Sequence, residues 1–166
     1  MTLAEAAAQA DELAQSGSER ELADLRAKWA DDLEAAVRSS DFRERAVAFR
    51  SIGQFRWRAK EELLRRGLED ESPACRGSAL LSLELLSRDH PSTVNGVRPR
   101  LHTLATTDGN AAVRRLAILC LKNGSPERNT IVLLEGLAGD DEADAELRRA
   151  AAGVAQHLKK KQAKRS

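Results

Sequence analysis

The sequence predicts an all-α fold built as a stacked array of helix pairs, and three observations support this prediction. Strong helix formers, chiefly Ala, Leu, Glu and Arg, dominate the 166 residues, whereas tyrosine is absent and aromatic residues make up 3%. An arginine followed by alanine three residues on and by an apolar residue seven residues on occurs four times, at Arg45, Arg76, Arg114 and Arg148. Their spacings of 31, 38 and 34 residues are typical of helical repeats that bury their apolar faces on each other.

The first 27 residues are predicted to form N-terminal capping helices. Residues 2–15 place small apolar side chains near one face, and Gly17 ends that helix. Ser18 and Glu21 have the spacing of a capping box, which predicts the start of a second helix. The apolar stripe of this second helix consists of Leu22, Leu25, Trp29, Leu33 and Val37. Neither helix carries the repeat register, as expected for the end unit of an array.

About four repeats follow between residues 28 and 158, within one predicted domain that spans residues 1–160. Proline, glycine and acidic turn residues separate the periodic segments. The predicted helices cover residues 42–56, 58–69, 73–88, 94–106, 110–123, 126–138 and 143–160. The last residues, 161–166, are predicted to be a basic, disordered tail.

Two of the repeat windows resemble the HEAT-like family, which includes the repeats of phycobilin lyases. Residues 70–79 follow that family's D-x-x-P-x-V-R-x-x-A pattern closely, and residues 108–117 follow it without the proline. The resemblance covers roughly residues 28–158 and implies a right-handed α-solenoid of antiparallel helix pairs. It also implies that the repeat arginine pairs with a turn aspartate, such as Asp70, and that the second helices line a concave binding face.

Residues 43–66 form a basic segment, with eight positive and three negative side chains in a chain of net charge +1. Phe55 and Trp57 alternate there with Arg56 and Arg58, and Lys60 follows. An exposed tryptophan among arginines would stack a nucleic-acid base or anchor a protein partner. The alternative is a tryptophan packed at a helix corner with the arginines as its solvated rim.

A non-enzymatic scaffold or adaptor is the predicted function, with a partner on the concave face. The outward register positions suit an acidic helix or tail of a protein. These positions are Arg50, Trp57, Glu84, Arg88, Arg115, Lys122, Arg149 and Gln156. Nucleic-acid binding through the basic segment is the second hypothesis, because some HEAT-like proteins, such as the alkylpurine DNA glycosylases, hold DNA in a basic groove. A chromophore lyase or chaperone is the third.

Catalytic, metal and cofactor sites are not predicted. The three histidines are scattered without metal-ligand spacing, and no glycine-rich phosphate loop occurs. Cys75 and Cys120 are interpreted as small buried hydrophobic residues. The chain lacks a signal-peptide pattern and a membrane-spanning stretch, so we expect a cytoplasmic protein with no membrane partner. The sequence does not indicate an oligomeric state.

Overall fold

A computed structural model describes residues 1–165, which form ten α-helices and one 3₁₀ turn without any β-strand. This confirms the all-α class. The residues group into two compact units, and each is described by itself. The first unit spans Met1–Leu86, and the second begins at Ser87.

The first unit contains most of five helices and the 3₁₀ turn. In order these are α1 (Leu3–Gln15), α2 (Glu19–Val37), α3 (Phe42–Gln54), the turn Arg58–Lys60, α4 (Glu62–Leu68) and α5 (Pro73–Ser87). Helix α1 packs against α2 and α3 through Ala6, Ala7 and Ala10, which are fully buried. These small side chains permit a close helix approach in a unit whose larger core residues include Leu22, Leu33, Phe49, Ile52 and Phe55.

The caps of the first helices differ in part from the sequence prediction. Thr2 and Glu5 form a complete capping box at the start of α1. The side chain of Ser18, in contrast, makes no cap hydrogen bond at the start of α2, so the predicted capping box there is wrong. Its hydroxyl instead lies 3.0 Å from that of Ser16, and its backbone N–H closes the end of α1 on Leu13.

Helices α3 and α5 approach each other closely at Gly53. The Gly53 N–H donates to the buried Ser82 hydroxyl at 2.9 Å, and a Cβ on Gly53 would lie 2.7 Å from the Ser82 Cα. At the other end of both helices, the Cys75 thiol donates to the Phe42 carbonyl at 3.2 Å. The two helices therefore run in the same direction, side by side, with their N-terminal and C-terminal ends in register.

The second unit contains two helical hairpins preceded by a short helix. Its elements are α6 (Ser92–Asn95), α7 (Arg98–Thr107), α8 (Ala111–Leu121), α9 (Arg128–Ala138) and α10 (Ala145–Arg165). Helix α7 packs on α8, and α10 packs on both α8 and α9. The helix predicted over 94–106 is divided, because the chain turns at Gly96 and restarts with Pro99 in the first turn of α7, where a missing N–H costs nothing.

The last helix is longer than the sequence predicts. Helix α10 continues to Arg165, where a disordered tail is expected from residue 161, and Ser166 lies outside the described residues. The Lys161 ammonium donates to the carbonyls of Lys122 and Gly124 at 2.7 and 3.2 Å, which ties this part of α10 to the end of α8. Cations at a helix C-terminus also interact favourably with the helix dipole.

Candidate partner-binding surface

The basic segment 43–66 is largely neutralised by carboxylates from other parts of the first unit. Three of its cations make ion pairs with distant residues: Arg45 with Asp70 at 2.9 Å, Arg56 with Asp11 at 2.8 Å and Lys60 with Glu34 at 2.7 Å. Two others pair locally, Arg43 with Asp41 and Arg65 with Glu62. The positive charge counted along the sequence is therefore mostly absent from the surface.

Arg56 has a structural role at the end of α3. Its φ of 52° is the only positive φ of a non-glycine residue among the described residues. The N–H groups of Arg56 and Trp57 close the helix on Gly53 and Ile52, the hydrogen-bond pattern of a Schellman motif, in which glycine is usual at this position. The Arg56 guanidinium donates to the carbonyls of Gly53 and Gln54 at 3.1 Å as well as to Asp11.

A second arginine completes this helix end. Arg26 of α2 donates to the carbonyls of Phe55 and Arg56, at 2.8 and 3.1 Å. Partial burial and the nearby charge of Arg56 lower the pKa of Arg26, while Glu19 raises it. Two guanidinium groups thus satisfy carbonyls that a helix C-terminus leaves without intrahelical donors.

Trp57 is buried, with 7% of its surface exposed, so the base-stacking role that requires an exposed tryptophan is not available to it. Its ring lies 5.2 Å from that of Phe55, and the Lys60 ammonium lies 5.8 Å from the ring centre. The structure therefore agrees with the alternative of a tryptophan packed at a helix corner. Arg58, directly after Trp57, remains exposed.

The repeat arginines bind turn residues and backbone carbonyls. Arg45 and Asp70, with 13% and 10% of their side chains exposed, form two parallel hydrogen bonds. Burial would raise the pKa of Asp70, but the hydrogen bonds from Arg45 and Ser72 outweigh it, and the pKa is lowered.

Arg114 and Arg148 do not repeat this geometry. Arg76 donates to the carbonyls of Asp70 and Glu71, and Arg114 donates to that of Ala105. Arg148 lies 3.7 Å from the exposed Asp141. The arginine–aspartate pair implied by the family resemblance is thus well formed at Arg45 and loose at Arg148.

Several predicted binding residues are exposed on α8 and α10 of the second unit. Arg115 of α8 and Lys122, the residue directly after α8, lie seven residues apart, and Arg149 and Gln156 have the same spacing on α10. Seven residues are about two helical turns, so each pair shares one face. All four side chains are exposed, whereas Arg50 and Glu84 of the first unit are half-buried. Arg88, just after α5, is also exposed.

Further cations extend this surface along α10. Lys160 and Lys164 are exposed, and neither they nor Arg115, Lys122 and Arg149 form an ion pair with any residue of the described chain. Lys159 is an exception, because its ammonium lies 2.5 Å from Glu135. We define the α8–α10 face as Arg115, Lys122, Arg149, Gln156, Lys160 and Lys164.

His157 reports the charge density at the end of this face. Partial desolvation lowers the pKa of its imidazole, and the charges of four lysines lower it further. The four are Lys161, Lys122, Lys160 and Lys164. Four positive charges therefore lie close to one imidazole, and an anionic ligand bound there would reduce their mutual repulsion.

An open groove in the first unit was not predicted from the sequence. It has a volume of about 560 Å³ and lies between the start of α1, the second half of α2 and the start of α3. Leu3, Trp29, Ala36 and Val47 provide apolar walls. The sequence feature that relates to this groove is the apolar stripe of α2. Leu22, Leu33 and Val37 of this stripe are buried, whereas Leu25 and Trp29 are only half-buried.

The described residues contain no arrangement of three or more His, Cys, Asp or Glu side chains that would hold a metal ion. His102 contacts the Thr130 hydroxyl at 2.9 Å, and burial followed by the charge of Arg98 lowers its pKa. Both cysteines are buried, and neither forms a disulfide within the described residues. Among residues 1–165, no helix has the length and apolar character needed to cross a bilayer.

No protein-family model and no curated protein matches this chain.

Proposed function

We propose that this protein is a non-enzymatic interaction adaptor whose α8–α10 face binds an acidic segment of a partner protein. The observation that carries the proposal is the set of five exposed cations on two packed helices, none of which has a carboxylate partner within residues 1–165. Such a row of charges favours a ligand with regularly spaced carboxylates, such as one face of an acidic helix.

The chemistry of the face favours a protein segment over a nucleic acid. The chain as a whole has a net charge of only +1, so it provides little long-range attraction for a polyphosphate. The only tryptophan in the basic segment is buried, and the α8–α10 face itself has no aromatic side chain for base stacking. Nucleic-acid binding is therefore the alternative that the experiment below must separate from the proposal.

We also propose that the helix pairs stack on one another as a HEAT-like, right-handed solenoid. Two contacts within the units support this arrangement. Helices α3 and α5 run side by side in one direction, and the C-terminal end of α10 adjoins that of α8 through Lys161. Second helices of successive repeats stack in this manner in solenoids.

The test is a fluorescence-anisotropy titration with two labelled probes at about 50 and 200 mM salt. One probe is a glutamate-rich helical peptide of about 15 residues, and the other is a DNA duplex. Two double variants carry the same change in net charge. Lys160→Glu with Lys164→Glu alters the α8–α10 face, and Arg58→Glu with Arg66→Glu alters exposed arginines of the first unit.

The proposal predicts that the peptide binds and that the lysine variant weakens it by about tenfold or more, while the arginine variant changes it less than about twofold. Equal losses in both variants would mean that only net charge matters, which would contradict a defined face. Binding of the duplex alone, lost in the lysine variant, would replace the proposal with the nucleic-acid alternative.

A further inference from the structure

The groove between α1, α2 and α3, defined here as the Trp29 groove, belongs to the first unit, shares no residue with the α8–α10 face and has the opposite electrostatic character. Its apolar walls are Leu3, Trp29, Ala36 and Val47, and Asp32 and Glu44 stand at its edge. Arg43 also lines it, but this cation is paired with Asp41 at 3.2 Å. The groove is therefore an apolar depression lined by two carboxylates and one cation, and Glu44 interacts both with that cation and with the Ser39 hydroxyl.

The surface around the Trp29 groove is unusually apolar for this protein. Five large apolar side chains are exposed among the described residues, and Val47 lies in the groove wall. Two others, Met1 and Phe42, are the chain neighbours of the lining residues Thr2 and Arg43. Clustered exposed apolar residues indicate an interaction site, whereas isolated ones need no explanation.

Trp29 provides the largest apolar side chain of the groove. It is half-buried, so part of its ring is open to a ligand, while its indole N–H is buried and has no acceptor among the described residues. Tryptophan is among the residue types that contribute most of the binding energy at protein interfaces.

The wider surface indicates the charge of the occupant. Residues 1–41, which include α1 and α2, contain ten carboxylates and four basic side chains, a net charge of −6. Asp11, Glu34 and Asp41 pair with Arg56, Lys60 and Arg43, so seven carboxylates and four basic side chains remain, a net charge of −3. This acidic surface disfavours an acidic ligand and favours a cationic one. Charge and shape together therefore specify both parts of the ligand, an apolar side chain for the groove and flanking basic residues for its surroundings.

We propose that the Trp29 groove is a second docking site, which accepts an apolar side chain from a lysine- or arginine-rich segment of a partner protein. The occupant differs from the acidic segment proposed for the α8–α10 face. The adaptor thereby offers two sites of opposite charge preference, one in each unit.

The experiment uses the intrinsic fluorescence of Trp29. Trp57 is the only other tryptophan, and it is buried, so Trp57→Phe makes Trp29 the sole reporter. The probe is an amphipathic leucine–lysine peptide of about 14 residues, and the control probe has glutamate in place of each lysine. Circular dichroism confirms that each variant remains helical.

Two matched variants locate the binding. Val47 and Leu81 are exposed to similar extents, 37% and 40%, but only Val47 lines the groove. We expect the leucine–lysine peptide to shift the Trp29 emission, with affinity reduced about tenfold or more by Val47→Lys and little changed by Leu81→Lys.

Three outcomes would overturn the inference. Equal effects of Val47→Lys and Leu81→Lys would show that the peptide does not use the groove. The glutamate control peptide is expected to bind the α8–α10 face, so it is titrated against the variant with Lys160→Glu and Lys164→Glu. An equal shift of the Trp29 emission by this control peptide in that variant would remove the basic segment as the occupant. Binding of a neutral apolar dye with no response to the leucine–lysine peptide would identify the groove as a small-molecule cavity.

Discussion

The basic segment 43–66 and the α8–α10 face are both rich in arginine and lysine, but the protein uses their charges differently. In the first unit, Arg45, Arg56 and Lys60 connect helices through Asp70, Asp11 and Glu34. In the second unit, the cations of the α8–α10 face have no carboxylate partner in the described chain. The comparison shows that a count of charges along a sequence does not give the surface potential, because carboxylates distant in sequence decide which cations are neutralised.

The largest effect is expected where the first unit is most tightly packed. Gly53→Ala would bring a Cβ to 2.7 Å from the Ser82 Cα, a backbone atom that cannot move aside easily. We expect a loss of about 2–3 kcal/mol in the free energy of unfolding. Gly136→Ala in α9 is the matched control, because nothing lies within 4 Å of its added Cβ.

At Gly136 the substitution should raise stability by about 0.5–1 kcal/mol, since alanine is the better helix former. Urea unfolding of the two variants measures both changes. Destabilisation of similar size at both positions would contradict the close approach of α3 and α5.

The next effect separates structural from exposed cations. Arg56→Glu would place a carboxylate beside Asp11 and remove the donor to two carbonyls at the end of α3. We expect a loss of about 2 kcal/mol. Arg58→Glu, two residues away on an exposed side chain, should change stability by less than about 0.5 kcal/mol. Thermal unfolding by circular dichroism compares them, and equal midpoints would show that Arg56 is not a structural residue.

A smaller effect tests the backbone at the same position. Arg56→Gly and Arg56→Ala both remove the guanidinium, but only glycine adopts the φ of 52° without strain. We expect the glycine variant to be more stable than the alanine variant by about 1 kcal/mol. Denaturant unfolding provides the measurement. An alanine variant as stable as the glycine variant would indicate that α3 ends differently.

The smallest expected effect is a difference between the two units in how their stability depends on pH. The pKa values of His102 and His157 in the second unit are lowered from 6.5, so the unfolded chain binds these protons more readily. Their contribution to stability is complete above pH 6.5 and is lost as the pH falls from 6.5 through the lower pKa values of the folded protein.

In the first unit, hydrogen bonds from Lys60 and Arg38 lower the pKa of Glu34, and the pKa of Asp70 is also lowered. The stability that these carboxylates contribute to the first unit is therefore lost only below about pH 4.5. Amide hydrogen exchange at pH 7.5 and 5.5 measures each unit separately. A larger loss of protection in the first unit between these pH values would contradict the assignment.

The sequence allowed the helices and their core faces to be predicted well. The helix predicted over 2–15 is observed over Leu3–Gln15, and the Arg45–Asp70 pair follows from the resemblance to HEAT-like repeats. The helix depends on local periodicity, whereas the ion pair joins two successive repeat windows, 25 residues apart in sequence. The capping box at Ser18 failed because suitable residue types do not by themselves fix the cap geometry.

The functional surfaces were harder to predict. The burial of Trp57 depends on Arg56, whose left-handed conformation redirects the chain at a position where glycine is usual. The Trp29 groove depends on how far α1 and α3 extend along α2, and periodicity contains no information on that offset. The register relative to the repeat arginines predicted outward positions correctly at Arg115, Lys122, Arg149 and Gln156. The same register was wrong at Trp57, which is buried, and only partly right at Arg50 and Glu84, which are half-buried.

The most direct test of the central claim is an NMR titration of the histidine side chains with and without the glutamate-rich peptide. Four lysine charges help to lower the pKa of His157, so an acidic segment on the α8–α10 face should raise that pKa towards 6.5. The pKa of His102, which is lowered by burial and by Arg98, should not change. An unchanged His157 pKa at saturating peptide would contradict the proposed binding face.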